Sequence, residues 1–159
     1  MENIFVSAKA LRDGSKAIRG GVPVCFPSFG PWEFGPQHGF ARISDEWTAG
    51  EVTQDAVTGD QTVLHITQTI ATIYDNLTHI GITRFQVTLT LSDSEKTRAM
   101  WDFSFRFDYK ITLKSRDLVL DSTVANVGEK ALKLTYALHT YFKVDDVTLC
   151  EVTGLKVFS

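Results

Sequence analysis

The sequence predicts an all-β fold in which antiparallel strands form a sandwich. Much of the chain alternates between apolar and polar residues with period two, the pattern of strands that have one buried and one solvated face. Turn-forming residues separate these stretches at positions 58–60, 92–94 and 126–129. Since no long stretch has its apolar residues at helical spacing, we expect sheets packed against each other, with no helices between the strands.

Residues 8–48 form a region of different composition. Glycine, proline and aromatic residues dominate it, and the stretch AIRGGVPVCFPSFGP at 17–31 contains three prolines. Proline lacks the N–H group that a central strand must donate. We therefore expect an ordered loop region that packs on the sheets.

Five stretches after this region alternate as strands do. The clearest is DFSFRFDYKITLK at 102–114, whose odd positions are apolar or aromatic and whose even positions are polar, including Thr112. The others are TVLHITQTI at 62–70, FQVTLTLS at 85–92, DLVLDSTVAN at 117–126 and ALKLTYALHTYFKV at 131–144. No linker or repeat divides the chain, so residues 1–159 are expected to form a single domain.

Composition excludes several classes of function. A net charge of −3 provides no global cationic field for nucleic acid or anionic lipid, so we expect neither as a partner. Two cysteines are too few for a disulfide framework, and no zinc-ligand spacing, nucleotide loop or hydrolase motif is present. No apolar run fits an export signal or a membrane span, which predicts a cytoplasmic protein.

Arg19 is the first candidate binding residue. Gly20 and Gly21 follow it and let the backbone approach a ligand closely, while the prolines downstream stiffen the segment. A guanidinium group held there is suited to an oxyanion. The alternative is an arginine that only bonds loop carbonyls.

The stretch PQHGFAR at 36–42 is the second candidate. Gln37, His38 and Arg42 form a donor-rich group suited to hydroxyls and an anion. A single histidine in a loop is also compatible with a purely structural role.

His139 is the third candidate and the one suited to proton transfer. In a strand, Thr135, Ala137, His139 and Tyr141 share a face whose small and polar members leave room beside the imidazole. A histidine there can act as acid or base near neutral pH. The alternative is a histidine on a solvated face.

Together, DGSKAIRGGVPVCFPSFGP, PQHGFAR and LTYALHTYFKVDDV, in this order, resemble the glucose-6-phosphate 1-epimerase family, the hexose-6-phosphate mutarotases of the galactose mutarotase-like group. The resemblance runs from about Phe5 to Leu155. It implies a β-supersandwich and a cofactor-free, metal-free isomerase that interconverts the α and β anomers of a hexose 6-phosphate, its small-molecule substrate.

The resemblance also implies roles for individual residues. It makes His139 the acid that protonates the ring oxygen, and it makes Arg19, Gln37 and Arg42 substrate-binding residues with His38 beside the sugar. Family members extend beyond both ends of this chain and carry their catalytic glutamate in the later part, so residues 1–159 are expected to be a partial mutarotase-like domain.

No residue here matches the catalytic base of the family. Asp145, Asp146 and Glu151 are the nearest carboxylates in sequence, but nearness in sequence does not place them across a sugar from His139. A non-catalytic sugar-phosphate-binding fragment is therefore the alternative function. A partial sandwich also exposes sheet edges, through which the chain could self-associate.

Overall fold

The computed structural model describes residues 4–11, 13, 16–54, 84–114 and 117–154, and these contain seven strands and one α-helix. The strand expected at 62–70 lies outside the described residues. The strands are β1 (Val24–Cys25), β2 (Thr48–Ala49), β3 (Thr53–Gln54), β4 (Arg84–Ser92), β5 (Phe105–Lys114), β6 (Leu118–Asn126) and β7 (Ala137–Leu138), and the helix is α1 (Glu95–Met100).

Five of the strands form one antiparallel sheet in the order β2-β4-β5-β6, with β3 also paired to β4. The register sets apolar residues opposite each other, for example Val87 opposite Ile111 and Leu91 opposite Phe107. Phe105, Phe107 and other members of this face are fully buried, because each cross-strand pair completes the same apolar surface. The period-two pattern thus predicts the buried face of the sheet.

Thr112 departs from that pattern. The sequence places it on the solvated face, but it is only 4% exposed. Its neighbours across the sheet are Gln86 on β4 and Val119 on β6, and these larger side chains flank a small one in the middle of the sheet. The expectation of a fully wet face is therefore wrong at this position.

Helix α1 corrects a second expectation, that no helix lies between strands. It connects β4 to β5 and begins with a capping box: the Ser94 hydroxyl accepts from the Thr97 N–H at 3.3 Å, and the Ser94 N–H donates to the Thr97 hydroxyl at 2.8 Å. With these two N–H groups at the N-terminus of the helix bonded locally, six residues suffice to turn the chain into β5.

A second layer covers the buried face of the sheet. Its centre is Phe26, which is 0% exposed and whose ring lies 5.2 Å from that of Phe105 and 4.9 Å from that of Phe107, measured between centroids. Strand β1, just before Phe26, pairs antiparallel with β7 to form a two-stranded sheet. The glycine- and proline-rich region therefore packs on the sheet, as the sequence predicts.

Strand β7 is much shorter than the stretch 131–144 from which it is predicted. The segment that runs beside it contains Pro23 and Pro27, which have no N–H group to donate. Their carbonyl oxygens still accept, at 3.0 Å from the His139 N–H and 2.9 Å from the Thr135 N–H. At these two positions the hydrogen bonds therefore run in one direction, from the stretch 131–144 to the prolines, and only two residues form a regular strand.

Candidate active site

Residues 20–29 form the backbone to which the candidate site residues are attached. They run antiparallel to residues 135–142, and the Tyr141 N–H donates to the Gly21 carbonyl at 3.0 Å. Further along, the Phe29 N–H donates to the Thr135 hydroxyl at 2.7 Å. These bonds fix the stretch that contains His139 against the proline-rich segment.

The loop at 36–42 rests on the same segment through Gly39. This glycine has φ of +75°, and a β-carbon built on it would lie 2.1 Å from the Phe26 carbonyl oxygen. Any larger residue would separate the two backbones. The Ala41 N–H donates to the same oxygen at 3.2 Å, so the loop is bonded to Phe26 just past this contact.

The two attachments bring His38 and His139 together. Their ring centroids are 5.9 Å apart at an interplanar angle of 67°, an edge-to-face contact between residues 101 positions apart in sequence. His38 is partly buried, whereas His139 is exposed. The more accessible imidazole is thus the one that the sequence selects for proton transfer.

His38 is held in one tautomer. Its Nδ1 accepts from the Gly30 N–H at 3.0 Å, and the backbone N–H of His38 donates to the Gly30 carbonyl at 2.9 Å. Burial lowers the pKa of the His38 imidazole, and the positive charges of Arg42 and His139 lower it further. At neutral pH His38 is therefore an uncharged ring whose Nε2–H is a donor.

Arg42 lies beside this pair, and part of its guanidinium is already engaged. Its Nη2 donates to the Gln37 carbonyl at 2.7 Å, which closes the loop. Its Nε is buried and has no hydrogen-bond partner among the residues that the structure describes. Since Nε is shielded from solvent, an incoming anion can reach Arg42 only at its terminal Nη groups.

Arg19 and Gln37 both present exposed side chains. The Arg19 carbonyl accepts from the Ser7 N–H at 2.9 Å, and at the next residue, Gly20, a β-carbon would lie 2.5 Å from the Val6 Cα. The structure thus fixes the Arg19 backbone at the end of the segment that holds His139. The Gln37 backbone is fixed by Arg42.

Two aromatic residues extend the histidine pair into a row of four rings. The Tyr141 ring is stacked on His139 with centroids 4.9 Å apart and planes at 26°. The Phe29 ring lies 5.2 Å from that of His38 at 33°. Sequence reasoning assigned no role to either residue, although Tyr141 shares the face of His139 in the period-two pattern.

Over residues 4–11, 13, 16–54, 84–114 and 117–154, no three His, Cys, Asp or Glu side chains cluster as metal ligands would. The same residues contain no helix with the length and apolar character needed to cross a bilayer.

An antiparallel sheet with little helix, covered by a proline-rich layer, matches the mutarotase-like sandwich. The crystal structure of YeaD from Salmonella typhimurium, provisionally named a mutarotase, superposes with a TM-score of 0.66 and 27% identity over 91% of this chain and 39% of that one. This similarity confirms the predicted fold class.

The aldose 1-epimerase family model matches residues 77–159, and the chain belongs to that family. Proteins provisionally named glucose-6-phosphate 1-epimerase are 33% identical in Cenchrus ciliaris, over 98% of this chain, and 35% identical in Escherichia coli, over 97%. The chain spans about two fifths of the length of these relatives, 41% and 42% respectively. The resemblance seen in the sequence motifs is thereby confirmed.

Proposed function

We propose that this chain carries the acid and the substrate-binding residues of a hexose-6-phosphate 1-epimerase, an isomerase that interconverts α and β anomers. The observation that carries the proposal is the contact between His38 and His139, with Arg42 close enough to lower the pKa of His38. A neutral donor, an accessible acid and a cation then adjoin one another. That set of groups matches a sugar that bears hydroxyls and a phosphate.

In the proposed reaction His139 delivers a proton to the ring oxygen of the sugar as the bond between that oxygen and C1 breaks. A base takes the proton of the anomeric hydroxyl, so that C1 becomes an aldehyde carbon. Rotation about C1–C2 and reclosure with the reverse proton transfers give the other anomer. The base stays unassigned, and the reaction requires no cofactor or metal.

His38 and Gln37 would bind sugar hydroxyls. With its Nδ1 occupied by the Gly30 N–H, His38 offers Nε2–H as a donor of fixed direction. The exposed side-chain amide of Gln37 both donates and accepts, which suits a hydroxyl group. Neither role requires a change of protonation during the reaction.

Arg19 and Arg42 would bind the phosphate. A chain of net charge −3 repels a dianion at long range, so local guanidinium groups must hold it. Arg19 is the freer of the two, since Arg42 is partly engaged by the Gln37 carbonyl. We expect Arg19→Ala to weaken glucose 6-phosphate binding about tenfold, the loss of one charge-assisted hydrogen bond, and to leave glucose binding almost unchanged.

Calorimetric titration measures both affinities, and Arg106→Ala is the matched control. Arg106 is an exposed arginine of β5 whose Nε donates to Asp108 at 2.9 Å on the outer face of the sheet. The Arg106→Ala variant should bind glucose and glucose 6-phosphate as the parent chain does. An equal loss for glucose and glucose 6-phosphate in Arg19→Ala would refute the phosphate assignment.

Anomer exchange tests the catalytic part of the proposal. The exchange between α- and β-glucose 6-phosphate is followed by NMR with the chain and with His139→Asn, which keeps a polar side chain but loses the acid. We expect the parent chain to accelerate exchange and the variant not to do so. Binding without acceleration would favour the second candidate, a sugar-phosphate-binding fragment, which the unassigned base and the two-fifths coverage of the relatives support.

We further propose a small-molecule partner, with neither nucleic acid nor a membrane as ligand, since a net charge of −3 provides no global cationic field. A cytoplasmic location is part of the same proposal. Self-association is proposed as well, because β6 lies at one edge of the described sheet and several apolar residues after it are exposed. The most exposed of these are Val147 at 75%, Val152 at 78% and Leu149 at 83%. Sedimentation equilibrium should show a mass that rises with protein concentration, whereas a constant monomer mass would contradict this expectation.

A further inference from the structure

We propose that Tyr141 is a positioning residue that holds the His139 imidazole in a single orientation by stacking on it. The proposal rests on the role of His139 in the proposed function. It concerns the orientation of the acid, for which neither the sequence motifs nor the relatives assign a residue.

Stacking is the first observation behind it. Among the residues that the structure describes, two rings contact His139. His38 approaches at 67°, whereas Tyr141 lies at 26° with centroids 4.9 Å apart. A nearly parallel, offset arrangement of this separation is a favourable aromatic contact. Tyr141 therefore covers one face of the imidazole, while His38 meets it edge to face.

The backbone fixes the distance between the two stacked residues. The Tyr141 N–H donates to the Gly21 carbonyl at 3.0 Å, and the Tyr141 carbonyl accepts from the Phe5 N–H at 2.9 Å. The His139 N–H donates to Pro23 at 3.0 Å. Because alternate residues of an extended chain share a face, these backbone bonds alone are enough to hold Tyr141 beside His139.

His139 needs such a partner because its side chain is exposed. An exposed histidine samples several rotamers, and freezing it costs conformational entropy. Tyr141 is only partly exposed, and His38 is itself held by Gly30, so both neighbours are more constrained than the acid between them. The imidazole is thus confined between a fixed ring face and a fixed ring edge.

Orientation matters for the proposed proton transfer, since a donor that points away from the sugar ring oxygen cannot protonate it. A misplaced catalytic group can lower the rate by about ten- to a hundredfold. Tyr141→Phe keeps the stacking face and should preserve the orientation. Tyr141→Leu removes the stacking face and should let the His139 imidazole rotate among several orientations.

The experiment uses the chain with isotope-labelled histidine side chains and compares these two variants with Phe142→Leu as control. Phe142 is the adjacent aromatic residue, 69% exposed, and lies on the opposite face of the extended chain. We expect Tyr141→Leu to shift the His139 ring resonances and to average its side-chain couplings over several rotamers. Tyr141→Phe and Phe142→Leu should leave both as they are.

The kinetic part measures anomer exchange in the same proteins. Tyr141→Leu should lower kcat about tenfold or more with little change in KM, and Tyr141→Phe should retain the parent rate. If the parent chain does not accelerate exchange, the proposed function fails, and the ring resonances still decide the role of Tyr141. Tyr141→Gln, which has no aromatic face, repeats the test should the leucine variant fail to fold.

Unchanged His139 resonances in both the leucine and the glutamine variants would overturn the proposal. A phenylalanine variant that behaves as the leucine one does would overturn it as well, because the hydroxyl group and not the ring face would then be responsible.

Discussion

Gly39→Ala is the substitution that most directly tests how the loop at 36–42 is held. Gly39 is buried with φ of +75°, and an alanine β-carbon would lie 2.1 Å from the Phe26 carbonyl oxygen and 2.4 Å from its carbon. Neither atom belongs to a flexible side chain. The loop and the segment that contains Phe26 would have to move apart, and His38 would move with the loop.

Two terms set the expected loss of stability. The left-handed backbone costs an alanine about 1–2 kcal/mol, and the overlap adds about 1–3 kcal/mol, the usual cost of overpacking. The free energy of unfolding should thus fall by about 2–5 kcal/mol. Gly30→Ala separates the terms, since Gly30 also has a positive φ, +94°, but nothing lies within 4 Å of its added β-carbon. Its loss should be about 1–2 kcal/mol.

Urea unfolding followed by tryptophan fluorescence measures both variants. Trp101 is 7% exposed in the core, and the Trp47 indole N–H donates to the Ala41 carbonyl at 2.7 Å. The fluorescence of these two residues therefore reports on the unfolding of both layers. With a typical m-value of about 1–3 kcal/mol/M, the midpoint of Gly39→Ala should lie about 1 M below that of Gly30→Ala. Equal midpoints for the two variants would refute the close approach of Gly39 to Phe26.

Three further outcomes are expected. Because the pKa of His38 is lowered in the folded chain, the unfolded chain binds more protons, and the free energy of unfolding should fall as the pH drops below about 6.5. His38→Asn should abolish this part of the pH dependence. An unchanged slope of the urea midpoint against pH in that variant would contradict the expectation. Phe26→Ala should lower the free energy of unfolding by about 3–5 kcal/mol, because it leaves a cavity among buried aromatic rings. A loss below about 1 kcal/mol would show that Phe26 is not central to the core. Ser94→Ala should cost about 0.5–2 kcal/mol through loss of its bond with the Thr97 N–H, whereas a neutral effect in the same unfolding assay would argue against the capping box.

The sequence predicts most of the large sheet because its long strands obey a local rule. On β4 and β5 the alternation of apolar and polar residues identifies the buried face before any contact is known. On the edge strand β6 no residue is fully buried, although Leu118, Leu120 and Val124 pack partly buried against the core. The rule fails at Thr112, where neighbours from two other strands decide the burial. It also misses α1, since Ser94 and Thr97 resemble a turn until their two reciprocal bonds are seen.

The candidate site is less predictable because it depends on contacts between distant parts of the chain. The motifs that contain His38 and His139 are visible in the sequence, but their 5.9 Å separation follows from two attachments to one proline-rich segment. Gly39 gives a local hint of a close approach without naming Phe26 as the partner. Tyr141 could have been found from its shared face with His139, whereas the engagement of Arg42 by the Gln37 carbonyl could not.

The account depends on His38 and His139 opening onto one sugar-phosphate site. The most direct test is a titration of the chain with glucose 6-phosphate in which the ring resonances of both histidines are followed by NMR, with glucose as the control ligand. We expect both imidazoles to respond with the same Kd, and to respond much more weakly to glucose. A response confined to one histidine, or different Kd values at the two rings, would contradict a common site.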